Sequence, residues 1–107
     1  MSKNRVAAVG VGYSSTGRRL GLSSRQLAVQ AATAAMRDAG MTPKDIDGST
    51  MLWGVAGAAP PGLDVAESMD VASMLGIGPL NFWNSGAGPA YIGPAIQAVA
   101  AIRAGFA

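Results

Sequence analysis

Leu80-Asn81-Phe82-Trp83-Asn84-Ser85-Gly86-Ala87-Gly88-Pro89 runs into a long apolar segment ending Ala101-Ile102-Arg103-Ala104-Gly105-Phe106-Ala107. Leu80 to Trp83 stands where a strand belongs, Ser85 to Pro89 is a glycine-rich turn, and Pro94 to Ala104 has helical spacing through Ile96, Val99, Ala100 and Ile102. Pro94 either opens this helix or kinks one that begins near Pro89. Gly105 is the expected stop. A strand, a turn and a buried helix in this order form the unit on which many α/β enzymes present a nucleophile.

Working back from that unit, the same alternation recurs. Arg5 to Gly12 is nearly all Val, Ala and Gly, the pattern of a strand buried on both faces of a parallel sheet. Tyr13 to Leu22 is a loop rich in glycine and serine. Ser23 and Gln26 form a capping box, and Gln26 to Ala39 carries Leu27, Ala28, Ala31, Ala35 and Met36 near one helix face before Gly40 ends it. Thr42-Pro43-Lys44-Asp45 begins a second, very short helix, with threonine as cap and proline at the first helical position. Ser49 to Val55 reads as a strand. Gly57 to Gly62 holds Pro60-Pro61 and is irregular, and Leu63 to Leu75 resumes helical spacing before Gly76 and Gly78. The order βα, βα, βα predicts an α/β fold with a parallel-rich sheet covered by helices.

Composition narrows the chemistry. The chain has 107 residues, half of them hydrophobic, with six aromatic residues. It contains no cysteine and no histidine, which excludes disulfides, thiolate catalysis and a Ser-His relay, and argues against a zinc site. The net charge is +2, and seven of the eight basic residues lie at or before Lys44. Arg18-Arg19 with Arg25 is their densest group, but no aromatic residues interleave as a base-stacking platform requires, so nucleic acid is not an expected partner. No window reaches the roughly eighteen apolar residues of a membrane span. The first residues lack the apolar stretch and cleavage site of a signal peptide, and a cytoplasmic location is expected.

Two motifs invite functional readings. Gly10-Val11-Gly12-Tyr13-Ser14-Ser15 follows a strand as a dinucleotide fingerprint does, but serine replaces the third glycine and ten loop residues precede the helix. A strained turn, or close packing of loop against strand, is the favoured alternative to a pyrophosphate site. Ser85 in Asn84-Ser85-Gly86 occupies a sharp turn, yet it lacks the Gly-x-Ser-x-Gly pattern and a histidine base. A serine that hydrogen-bonds its own turn is favoured over a nucleophile.

Taken in order, several segments resemble the thiolase superfamily, closest to its lipid-transfer or SCP-x-type branch. They are Val6-Ala7-Ala8-Val9-Gly10-Val11-Gly12-Tyr13, Thr16-Gly17-Arg18-Arg19, Ser23-Ser24-Arg25-Gln26-Leu27-Ala28 and Asp38-Ala39-Gly40-Met41-Thr42-Pro43-Lys44-Asp45-Ile46-Asp47. The resemblance covers essentially the whole chain, less distinctly from Ala56 to Leu75. It implies two βαβαβαββ halves in a five-layered body of several hundred residues, usually dimeric. Residues 1–107 then correspond to most of the first half, a partial N-terminal domain with no second domain of its own.

The resemblance further implies an acyl-CoA thioester as substrate, carbon–carbon bond cleavage or formation, and no separate cofactor. Classical relatives carry a nucleophilic cysteine in a Cys-x-Ser-Gly turn. Laying the Ile-x-x-Gly helix end on Ile102-Arg103-Ala104-Gly105 puts that position at Gly88, and an alignment gap would move it to Trp83 or Ser85. No placement yields a cysteine. Glycine there is familiar in the lipid-transfer branch, some members of which resemble retro-aldolases that cleave steroid-CoA side chains with an OB-fold partner, and their acid/base residues would lie in the second half. Backbone N–H groups of Ser85, Gly86 and Gly88 are then the candidate contacts for a thioester oxygen or an enolate. The turn alone is equally well explained as tight packing. This chain by itself is expected to be inactive and, with faces uncovered, to associate with copies of itself or with a missing C-terminal half. Two other classes stand beside the enzyme: a non-catalytic acyl-CoA-binding or scaffolding subunit, and a free-standing dinucleotide-binding domain.

Overall fold

The computed structural model describes residues 5–18, 20–51, 68–85 and 92–107. Among them are three α-helices, α1 (Ser24–Ala39), α2 (Ser68–Leu75) and α3 (Gly93–Ala104), and two strands, β1 (Gly48–Met51) and β2 (Phe82–Ser85). β1 and β2 pair in parallel, with Gly48 opposite Phe82, Thr50 opposite Asn84 and Met51 opposite Ser85. A parallel pair needs a crossover, which α2 supplies. The described chain is therefore a small α/β structure built on a βαβ unit.

Local chemistry explains where each helix begins and ends. The Ser23 hydroxyl accepts from the Gln26 N–H at 3.1 Å, and the Gln26 side chain accepts from the Ser23 N–H at 2.8 Å. The capping box satisfies two N–H groups that the helix itself cannot pair. α1, α2 and α3 each stop at a glycine in the left-handed region, Gly40, Gly76 and Gly105 at φ 70°, 72° and 84°. In each case the next residue returns its N–H to a carbonyl five positions back: Met41 to Met36, Ile77 to Ala72 and Phe106 to Ala101. Only glycine adopts that conformation without a Cβ penalty. Pro94 lies in the first turn of α3, so it opens the helix and does not kink it.

Between α1 and β1, Pro43–Asp45 forms one 3-10 turn. Asp45 accepts from the Thr42 N–H at 2.8 Å and from its hydroxyl at 3.2 Å. Just before the strands, Asp47 takes both the side-chain amide of Asn81 at 3.0 Å and, on its carbonyl, the Asn81 N–H at 2.7 Å. These bonds align the entries of β1 and β2. α3 packs on the two strands, as does α2, and α2 also packs on α1. Arg25 and Asp70 add an exposed ion pair at 3.1 Å between α1 and α2, of a kind that contributes little. Val71, Ala72 and Ala101 are the fully buried hydrophobic residues among those described.

The expected strand from Arg5 to Gly12 is not formed. This segment carries no ladder bonds, and Val9 and Val11 are 59% and 62% exposed. Its backbone lies against α1 instead. A Cβ on Gly12 would stand 2.3 Å from the Ala31 carbonyl oxygen, and one on Gly10 would stand 2.4 Å from that of Ala35. The Val11 N–H donates to Asp38 at 2.9 Å, and the Ser15 N–H donates to Gln30 at 3.0 Å. A run of small residues suits close approach to a helix as well as burial in a sheet, and side chains of α1 capture backbone donors here. The close packing expected at the Gly-x-Gly motif is present, but against a helix and not against a strand.

Other boundaries shift modestly. β2 begins two residues later than Leu80 and continues to Ser85. β1 matches the start of the expected Ser49 to Val55 strand, whose remainder from Leu52 lies outside the described residues, as do the Gly57 to Gly62 irregular segment and the first turn of the Leu63 to Leu75 helix. Two outcomes check these packing arguments. Ser23→Ala should cost about 1 kcal/mol in urea unfolding by removing the cap of α1. Gly12→Ala should cost about 1–3 kcal/mol by forcing α1 away from the N-terminal segment, with Asp38-dependent amide protection of Val11 lost in hydrogen exchange.

Candidate functional site

In α/β sheets, ligands favour the crevice beyond the carboxyl ends of parallel strands, because strand ends and helix starts converge there. Toward those ends, the last described residues are Thr50-Met51 of β1 and Asn84-Ser85 of β2, side by side in register. The start of α3 is fastened to both. The Thr50 hydroxyl donates to the Pro94 carbonyl at 2.8 Å, and the Asn84 side-chain amide donates to Oε1 of Gln97. Thr50, Asn84, Pro94 and Gln97 are all half-buried, and Gly93 is buried. Ile92, which precedes α3, offers no side-chain cap. Polar ties from two strands thus anchor a helix start that its own flanking residue leaves open.

Of the candidate contacts, Ser85 is placed by its backbone as the last residue of β2, opposite Met51. Gly86 and Gly88 lie outside the described residues, as does the turn to Pro89 of which they are part. Sequence reasoning missed Thr50 and Gln97. Gln97 carried a signal: it is the single polar side chain between Gly93 and Ile102, and an amide in an apolar helix is costly without a partner. Thr50 carried none, because threonine is ordinary in a strand.

Two clefts flank β1, and Thr50 lines both. One, of about 460 Å³, separates Val6 and Val9 from Gly48, Phe82 and Ile102 at the amino ends of the strands. Its carboxylates, Asp45 and Asp47, are already engaged by Thr42 and Asn81. The other, of about 430 Å³, lies among Ala31, Ala35, Met51, Val71, Ala72 and Ile77. Apart from the hydroxyls of Ser49 and Thr50 its side chains are apolar, and no carboxylate or amine lines it. At the Gly10-Val11-Gly12 motif, the Asp38 carboxylate occupies the N–H of Val11. Negative charge is therefore already present where a pyrophosphate would need donors. Among the described residues no cluster of Asp or Glu is arranged to hold a metal ion, and no helix is long and apolar enough to cross a membrane.

No family model matches the chain. It is 33% identical over 103 residues, 94% of its length, to a steroid side-chain-cleaving aldolase of Thermomonospora curvata. It is 32% identical over 84 residues, 78% of its length, to the 17-hydroxy-3-oxo-4-pregnene-20-carboxyl-CoA lyase of Mycobacterium tuberculosis. A solved structure of an Ltp2-ChsH2(DUF35) aldolase superposes on 92% of the chain with a TM-score of 0.74 and 32% identity. The chain spans 24% and 19% of the two curated relatives and 24% of the solved chain. Two of these three proteins are thus named as aldolases, and the third as a lyase of a carboxyl-CoA compound.

The tie from β1 to α3 has a direct check. Thr50→Val keeps the shape of the side chain and removes the donor to Pro94, so unfolding free energy should fall by about 1 kcal/mol. Amides in the first turns of α3 should lose protection more than those near Gly105.

Proposed function

We propose that the chain is the N-terminal part of a thiolase-like, lipid-transfer-type aldolase that cleaves the side chain of a steroid-CoA thioester. The carrying observation is the 33% identity to a steroid side-chain-cleaving aldolase across 94% of the chain. The fold likeness at a TM-score of 0.74 supports it, and so does Gly88 at the position where the resemblance puts the classical cysteine. A thiolase reaction needs a thiolate to hold the acyl group. A retro-aldol reaction does not.

For a 17-hydroxy steroid bearing a 20-carboxyl-CoA side chain, the step balances without an added oxidant or reductant. A base accepts the proton of the C17 hydroxyl, the oxygen forms a carbonyl at C17, and the C17–C20 bond breaks. Its electron pair passes to C20 and is delocalised onto the thioester oxygen as an enolate, and C20 then takes a proton. The products are a 17-ketone and propionyl-CoA. Developing charge on the thioester oxygen is what fixed N–H donors stabilise best.

In this reading Ser85, Gly86 and Gly88 supply backbone N–H groups toward that oxygen, with Gly88 where classical relatives carry cysteine. The base and acid belong to polypeptide outside residues 1–107, the protein is a cytoplasmic oligomer, and an OB-fold protein is its partner. CoA enters as part of the substrate and no further cofactor takes part.

The experiment is a turnover assay on the protein from the complete reading frame, prepared with and without a DUF35-type partner. Incubation with a 17-hydroxy-20-carboxyl-CoA steroid should give 17-ketone and propionyl-CoA in equal amounts by mass spectrometry, without added nicotinamide, flavin or metal. Tight binding of the thioester with no cleavage under any pairing would favour the acyl-CoA-binding subunit and sink the aldolase.

A further inference from the structure

We propose that the cleft between α1, α2 and β1 receives the ring body of a steroid, with the Ser49 hydroxyl as hydrogen-bond donor to it. The proposal rests on the reading just given for the identity of the ligand, and gives the steroid part of the thioester a place on this chain.

The argument begins with a helix that forgoes packing. α1 is the longest helix described, 16 residues, yet none of them is fully buried, whereas the eight residues of α2 include the buried Val71 and Ala72. The side of α1 toward the cleft carries Ala28, Ala31, Ala32 and Ala35, spaced as one helix face. Leucine is nearly as favourable in a helix as alanine and would fill the gap, so helix propensity does not explain four methyl groups there. They leave about 430 Å³ open beside β1, a volume in the range of small-ligand pockets. Left empty, such a gap forfeits dispersion contacts along its walls, and an occupant restores them.

The lining selects the occupant. It holds no charged group, and a phosphate or carboxylate brought there would lose its hydration without a partner. The CoA part of the thioester therefore lies elsewhere. A wall of alanine methyls offers a shallow surface, which suits rigid fused rings better than a flexible chain, because rings lose less freedom on binding. Thr50 turns its hydroxyl to Pro94 of α3, and side chains alternate along a strand, so Ser49 and Met51 face the other side, where the cleft is. The half-buried Ser49 hydroxyl has no hydrogen-bond partner among the described residues. The compound in the name of the Mycobacterium tuberculosis relative is a 3-oxo steroid, whose ketone lies at the far end of the rings from the side chain and accepts from one such hydroxyl. From Ser49 to Met51 the strand advances about 7 Å, and four fused rings outreach that distance. A steroid held at Ser49 by its 3-oxo group directs C17 past Met51, which stands opposite Ser85.

The test uses the complete protein with its partner, and androst-4-ene-3,17-dione as probe, a 3-oxo steroid without CoA. Calorimetry should show that the wild type binds it. Ala32→Leu fills the cleft and should weaken that binding about tenfold or more, raise KM for the steroid thioester by a similar factor, and leave Tm unchanged or higher. Ser49→Ala should weaken binding of the dione roughly three- to tenfold and leave binding of its 3-deoxy analogue unchanged. Acetyl-CoA binding should match wild type in both variants. A raised Tm in Ala32→Leu with wild-type dione binding and KM would mean a plain packing gap and overturn the proposal. Should Ala32→Leu lower Tm, Ser49→Ala decides: a loss confined to the 3-oxo steroid upholds the cleft, and an unchanged or equal effect on both steroids overturns it. A wild-type protein that cleaves the thioester but binds no dione overturns the cleft and leaves the aldolase standing. One that binds the dione with the expected losses in the variants, yet cleaves nothing, sinks the aldolase and leaves the cleft.

Discussion

The parallel register of Gly48–Met51 against Phe82–Ser85 is the constraint on which the remaining structure depends. It brings Thr50 and Asn84 abreast, and only from abreast positions can both reach the first turns of α3. It also sets Met51 and Ser85, the last described residues of the two strands, side by side. Parallel pairing cannot be closed by a tight hairpin, which is why α2 has to cross from one strand to the other. The Asn81 bonds to Asp47 pin the opposite end of the pair, so register is held by polar contacts at both ends as well as by its ladder.

Helix limits were legible because their chemistry is local. The Ser23-Gln26 box, the proline at Pro43, and the glycines at Gly40, Gly76 and Gly105 each act within a few residues of where they are read. Strand limits were less so, and β2 lies two residues beyond its expected position, because a short apolar run does not record which neighbour it pairs with. The N-terminal segment failed for a related reason. Val, Ala and Gly in succession describe a backbone that can be approached closely, without saying whether a strand or a helix approaches. The Asp38 and Gln30 side chains decide it in favour of α1, and both lie far along the sequence from the segment they hold.

The candidate site was legible in part. The glycine-rich turn drew attention through composition alone, and from Gly86 onward it lies outside the described residues. What fastens its flanks was not visible, since Thr50, Asn84 and Gln97 come from three elements whose meeting depends on register. Gln97 could have been found by asking why one amide interrupts an otherwise apolar helix. Thr50 could not, because its hydroxyl matters only through a carbonyl 44 residues away.

Exposed apolar surface bears on how the chain acts. Ile92, Ile96 and Val99 follow helical spacing along α3 and are 55%, 51% and 39% exposed, and Phe106 beyond the glycine is 62% exposed while stacking on Phe82 at 6.4 Å. A helix whose one side grips the strand ends through Pro94 and Gln97, and whose other side presents isoleucine and valine, is suited to lie between two layers and not at a surface. On the proposed reading this division has a chemical consequence. In that reading this chain contributes backbone donors and a glycine where classical relatives carry a thiol, and proton transfer falls to whatever covers α3. Catalysis is then assembled when the layers meet, because neither a preorganised oxyanion site without a base nor a base without that site lowers the barrier enough alone.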